Sequence, residues 1–251
     1  MMHKLVLSLL FLATALAIVP KSLSPDYTLC KRSDPGLNDC LKSAIQSAIA
    51  LLTHGDKHLG ILALDPLRIT KLSIHQGTGP VAVNLTFFDL DIDGIRKITI
   101  DSVEAKLEGP KPELFLRVSA DQPLILKGQY MIDGNVLFLP ISGKGDAQLD
   151  FVGVNASIDL KMKKVKNNGH TYAVPQELIF SLNPNNLIIK LENLYEGNKE
   201  LGDHMNRFLN DEWETVYGEL QDSIQKGFAG AVIEIITRLF TKIPFNSIFL
   251  K

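Results

Sequence analysis

The sequence predicts an α+β fold: a long C-terminal helix lies along a strongly curved antiparallel β-sheet, with a short helix near the N-terminus. Three observations lead there. Apolar residues recur at helical spacing near both ends of the chain. Between about residues 67 and 194 the apolar period falls to two. Turn signals separate these period-two runs and leave no room for crossover helices, so neighbouring strands run antiparallel. The composition suits a packed core, with 251 residues, 45% apolar and 22% charged. A formal net charge of −2 lacks the basic field that nucleic-acid binding needs. Two cysteines are too few for a disulfide-built scaffold or a four-cysteine zinc site.

The chain opens as an address. His3 and Lys4 precede an apolar run over residues 5–19, broken only by Ser8 and Thr14. Ala15-Leu16-Ala17 offers small residues to a signal peptidase, which predicts a secretory signal over residues 1–17 and one mature domain over 18–251. The apolar run is too short for a spanning helix, which needs about 20 residues. No later segment is apolar enough for stable membrane insertion, since the best candidate, 229–240, contains Glu234 and Arg238.

The mature chain begins with a helix. Asp34 is placed to cap it, Pro35 suits its first turn, and Leu37, Leu41, Ile45, Ala48 and Leu52 form its apolar stripe up to Gly55. Strand-like runs follow over 81–88, 97–107, 113–120, 124–132, 136–141, 147–166, 172–182 and 187–194. Turns are expected at Gly109-Pro110, Asp133-Gly134-Asn135, 143–145, Asn167-Asn168-Gly169 and 183–186. Within 147–166 the inward parity slips from odd (Leu149, Phe151) to even (Val154, Ala156, Ile158), which predicts a bulge or bend. The final stripe runs from Met205 through Leu209, Trp213, Leu220 and Phe228 to Leu239. One helix over 202–241 would be roughly 60 Å long, with any kink expected near Gly227 or Gly230, so the molecule is elongated. A sheet bent around such a helix can leave a lengthwise apolar gap able to hold a ligand.

Export gives meaning to other residues. Cys30 and Cys40 are expected to form a disulfide in an oxidising compartment. Asn84-Leu85-Thr86 and Asn155-Ala156-Ser157 fit the glycosylation pattern, and strand parity puts Asn84 and Asn155 on wet faces. Other motifs are read as structural. Gly77-Thr78-Gly79-Pro80 leads into a strand rather than a helix, so it is a turn and not a dinucleotide fingerprint. Asp89, Asp91 and Asp93 lack the glutamate a calcium loop requires, because Ile100 stands at that position. His54 and His58 have no adjoining glutamate of the zinc-protease kind, and no Gly-x-Ser-x-Gly elbow occurs. Lys161, Lys163, Lys164 and Lys166 are read as guarding a sheet edge. No metal, cofactor or catalytic residue is expected.

Five segments together resemble the Takeout and haemolymph juvenile-hormone-binding family. They are Cys30-Lys31-Arg32-Ser33-Asp34-Pro35 with Cys40-Leu41; Leu64-Asp65-Pro66-Leu67-Arg68-Ile69; Gly128-Gln129-Tyr130; Leu139-Pro140-Ile141-Ser142-Gly143-Lys144-Gly145; and 206–210 with Trp213. The resemblance covers nearly the whole mature length. It implies the fold of the tubular lipid-binding superfamily, with an apolar tunnel, and a secreted extracellular carrier of a small hydrophobic ligand (terpenoid, fatty acyl or quinone-like). The family's amino-terminal disulfide falls on Cys30 and Cys40. The hormone binders' second disulfide has no cysteines here, which places the chain nearer the Takeout branch. Tunnel-lining residues expected from inward parity are Leu85, Phe87, Leu116, Val118, Tyr130, Phe138, Phe151, Val154 and Phe180 on strands. On the long helix they are Trp213, Leu220, Phe228 and Val232. The alternatives are a signalling protein whose partner is a cell-surface receptor, and a secreted lipid esterase. A monomer is expected, because no heptad separate from the core stripe is present.

Overall fold

The structure, a computed structural model, describes residues 22–251, so the expected signal over 1–17 lies outside the described residues. In chain order the elements are β1 (Cys30–Lys31), α1 (Leu37–Leu51), β2 (Leu67–Gln76), β3 (Val81–Asp93), β4 (Thr99–Lys106), β5 (Glu113–Ala120), β6 (Leu124–Val136) and β7 (Leu139–Val152). After these come β8 (Val154–Asn167), β9 (His170–Asn183), β10 (Asn186–Leu191), α2 (Lys199–Asp211), α3 (Trp213–Phe240), α4 (Phe245–Ile248) and β11 (Phe249–Leu250).

The long strands form two antiparallel sheets. A five-stranded sheet has the order β10-β7-β6-β3-β2, and a four-stranded sheet has the order β4-β5-β8-β9. Helix α3 packs against β9 of the smaller sheet and against β2, β3 and β10 of the larger. Both edges of the larger sheet meet the same helix, so that sheet curls toward it. The chain passes directly from the larger sheet into the smaller at Gly153, between β7 and β8. There φ is +62°, and a Cβ would sit 2.6 Å from the Asn185 side chain. This is the bend that the parity slip predicts. A second irregularity lies at Asp89 (φ +46°), where the β3–β6 register shifts. It lets Phe87 and Leu90 both face inward.

Helix α1 begins later than the sequence predicts: Gly36 rather than Asp34 is its N-cap, and Pro35 precedes its first turn, because Asp34 closes a turn just before the helix. The Asp34 carboxylate accepts the Gly36 amide at 2.8 Å, and Gly55 ends the following short turn at φ +78°. The C-terminal helix is in two pieces, however. The break falls at Glu212 (φ −107°, ψ 21°), and α3 runs unbroken through Gly227 and Gly230. Its 28 residues span about 42 Å. Gly227 serves closeness instead of flexibility, because a Cβ there would lie 2.1 Å from Leu72 Cδ1 of β2.

Two turns differ from expectation. Residues 133–135 continue β6, and the β6–β7 turn is Leu137-Phe138. Gly134 is needed because a Cβ would meet the Ala82 carbonyl oxygen at 2.2 Å. Residues 143–145 likewise lie within β7, where the backbone at Leu194 crosses to bridge Gly143. The lysine run does not lie on a sheet edge. β8 is an interior strand between β5 and β9, so it guards no edge. Lys161 instead pairs with Glu177 at 2.9 Å, and the Lys164 Nζ sits 4.2 Å from the Phe245 ring centroid while donating to the Leu107 carbonyl.

The edge strand β10 is covered by two amide side chains of α2. Asn206 Oδ1 accepts the Leu191 N–H at 2.8 Å and its Nδ2 donates to the Leu191 carbonyl at 2.8 Å. Asn210 treats Ile189 the same way, at 2.9 and 2.6 Å. Residues i and i+4 of a helix are about 6 Å apart, close to the two-residue repeat of a strand, so one helix face can stand in for a missing strand. This gives a physical reason for the 206–210 segment.

Cys30 and Cys40 form a disulfide. Cys30 also pairs with Phe249 in a short parallel ladder, and Arg32 donates to Asn246 Oδ1 at 3.0 Å, so the two ends of the domain are clasped. Replacing both cysteines by serine is expected to reduce unfolding free energy by about 2.5–3 kcal/mol, as judged by chemical denaturation. A loss under about 1 kcal/mol would mean that the ladder alone holds the clasp.

Candidate functional site

The apolar space along α3 takes the form of two cavities. The larger has a volume of about 240 Å³. Its walls come from α1 (Leu41, Ile45, Ala48), β5 and β8 (Leu116, Ile158) and the C-terminal part of α3 (Ile235, Leu239). Cys30 and Phe249 of the clasp close one side. The smaller cavity, about 70 Å³, is walled by all five strands of the larger sheet and by the N-terminal part of α3. Phe180 of β9 links the two. It is the cross-strand partner of Ile158, on the wall of the larger cavity. Its ring also meets edge-on that of Phe228, on the wall of the smaller, at 6.0 Å.

Among the described residues no charged side chain lines either cavity. The two tyrosine hydroxyls on the walls are already engaged, and the Thr28 hydroxyl lies at the exposed rim of the larger cavity. Tyr27 donates to Asp56 at 3.2 Å, and Tyr217 to the Leu182 carbonyl at 2.6 Å. A site of this kind recognises a ligand by length, girth and absence of charge. Among the described residues no cluster of His, Cys, Asp and Glu could hold a metal ion.

The expected lining residues divide into groups. Leu85, Phe87, Phe151, Leu220 and Phe228 lie on the smaller cavity, and Leu116 on the larger. Val118, Tyr130 and Val154 are buried but face neither space. Tyr130 is a satisfied core residue whose hydroxyl donates to the Glu192 carbonyl at 2.8 Å. Phe180 and Trp213 pack half-buried against the core, and Val232 is half-buried on α3. Phe138 is a correction: it is 84% exposed, because the β6–β7 turn falls on it and strand parity no longer applies. Ile45 and Ala48, on the visible apolar stripe of α1, are lining residues that strand and long-helix parity does not reach. Sequence reading also missed Tyr217, Leu187 and Ile189.

Burial raises the pKa of Tyr130 and Tyr217 to about 12, and burial with the Asp56 carboxylate does the same for Tyr27. Between the ordinary tyrosine value of about 10 and about 12, the folded chain holds protons that the unfolded chain has lost. Stability is therefore expected to be full below pH 10 and to fall as pH rises toward 12. Denaturation midpoints at stepped alkaline pH check this, and Tyr217→Phe is expected to flatten the decline.

The comparisons with known proteins agree with this architecture. The profile of the family described as "Haemolymph juvenile hormone binding protein (JHBP)" matches residues 6–250. The chain belongs to this family. Among its relatives is the circadian clock-controlled protein daywake of Drosophila melanogaster, 27% identical over 88% of this chain and 86% of that protein. The Drosophila yakuba daywake is 25% identical over 84% of this chain and 83% of its own. In three dimensions the fold matches crystalline Takeout 1 of Epiphyas postvittana, with a TM-score of 0.75 over 89% of this chain and 100% of that one, at 23% identity. Within the family, three of the five sequence segments acquire structural roles here. The first forms the disulfide clasp and 206–210 covers β10. Asp65 accepts the Gly94 and Arg96 amides at 2.8 and 3.1 Å, fixing the connection between β3 and β4.

Proposed function

We propose that this protein is a secreted, non-catalytic carrier of a small uncharged hydrophobic molecule held in the cavities along α3. The observation that carries this reading is the character of their walls: without charge among the described residues, with both lining tyrosine hydroxyls already bonded. Binding is burial. Each methylene taken from water contributes about 0.8 kcal/mol, so about twelve buried carbons give micromolar affinity or better after the costs of association. A terpenoid, fatty acyl or quinone-like lipid fits that chemistry, and the family's printed name points the same way. The larger cavity suits the shorter of these. A longer chain needs the Phe180–Phe228 ring pair to turn aside, which would join the two spaces. The N-terminal signal and the Cys30–Cys40 disulfide support export, and the exposure of Asn84 and Asn155 supports glycosylation there.

Displacement of an apolar fluorescent probe tests the reading. Uncharged terpenoids and medium-chain acyl esters are expected to compete at micromolar concentration, and short polar esters are expected neither to compete nor to be hydrolysed. A protein that takes up no apolar probe, or that turns over esters, would sink it.

A further inference from the structure

The β6–β7 turn contradicts ordinary turn chemistry. It is a two-residue hairpin in which Val136 pairs with Leu139, and its central residues Leu137 and Phe138 both have positive φ, +46° and +70°. That conformation suits Asn-Gly, and it strains bulky side chains. Leu137 turns inward against the core, but Phe138 is 84% exposed and Leu139 beside it 44%. The fold thus carries a strained turn that puts a phenyl ring into water, without any internal contact to explain the ring.

The surroundings are uncharged. No Asp, Glu, Lys or Arg occurs over residues 134–143 or over 74–88. These two stretches meet: Leu137 donates its N–H to the Pro80 carbonyl at 2.7 Å, and Val81 pairs with Val136. The β2–β3 turn and the β6–β7 turn therefore form one uncharged end of the larger sheet, with Phe138 projecting from it. Glu219 of α3 lies beside Gly79, and Tyr195, which precedes Glu196, donates its hydroxyl to the Pro140 carbonyl at 2.7 Å, so the charges that approach this end are acidic.

We infer that Phe138 and Leu139 form an insertion tip that docks the protein on an electrically neutral lipid surface. Two side chains on a tight two-residue turn form a small apolar core beside the roughly 800 Å² per partner of a specific interface, which favours a lipid surface over a folded protein. Inserting an uncharged hairpin tip into the headgroup region desolvates no ion, and an aromatic ring is the side chain most favoured at that depth. The lack of lysine and arginine argues for a zwitterionic surface rather than an anionic one. The same hairpin supplies Ile132 and Val136 to the wall of the smaller cavity, so docking would bring that end of the cavity to the lipid.

The test is co-sedimentation of the full secreted chain with vesicles of phosphatidylcholine alone. Wild type is expected to partition onto them. Phe138→Asn is expected to weaken partitioning by about ten- to a hundredfold, the effect of losing one buried phenyl ring. Asparagine suits positive φ, so the variant should fold with an unchanged or raised melting temperature. Phe138→Trp is expected to retain binding and to show a blue-shifted emission component, absent from wild type, that brominated phosphatidylcholine quenches. Equal binding by wild type and Phe138→Asn, or no binding by wild type, would overturn the inference. So would lipid-free self-association that Phe138→Asn abolishes, which would assign the tip to a second copy. None of these readouts depends on a ligand in the cavities.

Discussion

Replacing Asn206 and Asn210 together by alanine is expected to reduce unfolding free energy by about 4 kcal/mol. The change removes few atoms but leaves the N–H and carbonyl groups of both Ile189 and Leu191 without their partners. Each net bond contributes about 1 kcal/mol, and more where water cannot replace the amide. For a domain of this length that corresponds to a fall in melting temperature of roughly 8–16 °C. The bared edge of β10 should also make the variant prone to strand-mediated association. Paired urea and thermal titrations decide the matter. A loss under about 1 kcal/mol would mean that solvent satisfies the edge unaided and that the amides are incidental.

Filling the larger cavity is expected to abolish most ligand binding while sparing the fold. Ala48 on α1 faces that space, and Ala48→Phe would place a ring where a ligand's carbons would lie. Excluding about three carbons from burial removes roughly 2–3 kcal/mol of binding, a 30- to 150-fold weakening. Stability should hold or rise, since the ring occupies existing space instead of displacing packed atoms. Isothermal titration of the same uncharged lipid into both proteins checks this. Equal affinity would place the ligand elsewhere, the smaller cavity first.

Much of the fold was legible because its signals are local. The parity slip between Phe151 and Val154 marks the passage from one sheet to the other in the sequence itself. The long apolar stripe located the central helix. Errors arose where a residue answers to something distant. Asp133-Gly134-Asn135 has turn composition, yet Gly134 exists because β3 presses against it at Ala82. The true turn, Leu137-Phe138, uses residues that turn chemistry disfavours, so no local rule could find it. Gly227 looked like a hinge and is a point of contact with Leu72. The site was legible to a lesser degree. Parity identified which side chains point inward, and five of the expected residues reach the smaller cavity. Whether an inward side chain meets a void or a neighbour depends on packing between distant elements. Val118 and Val154 are as buried as Leu116 and Phe151, yet only the latter two reach a cavity.

The central claim is that the space along α3 holds an uncharged lipid. Native mass spectrometry of the protein from a eukaryotic secretion host, before and after solvent extraction, tests it most directly. The predicted result is a stoichiometric adduct that extraction removes, with a single lipid-mass species recovered in the solvent. After reloading with the extracted lipid, the Ala48→Phe variant should retain little of it. A clean apo mass that stays unchanged on exposure to terpenoids, fatty acyl esters and quinones would contradict the account, and would mean that the cavities are packing defects of a protein acting through its surface.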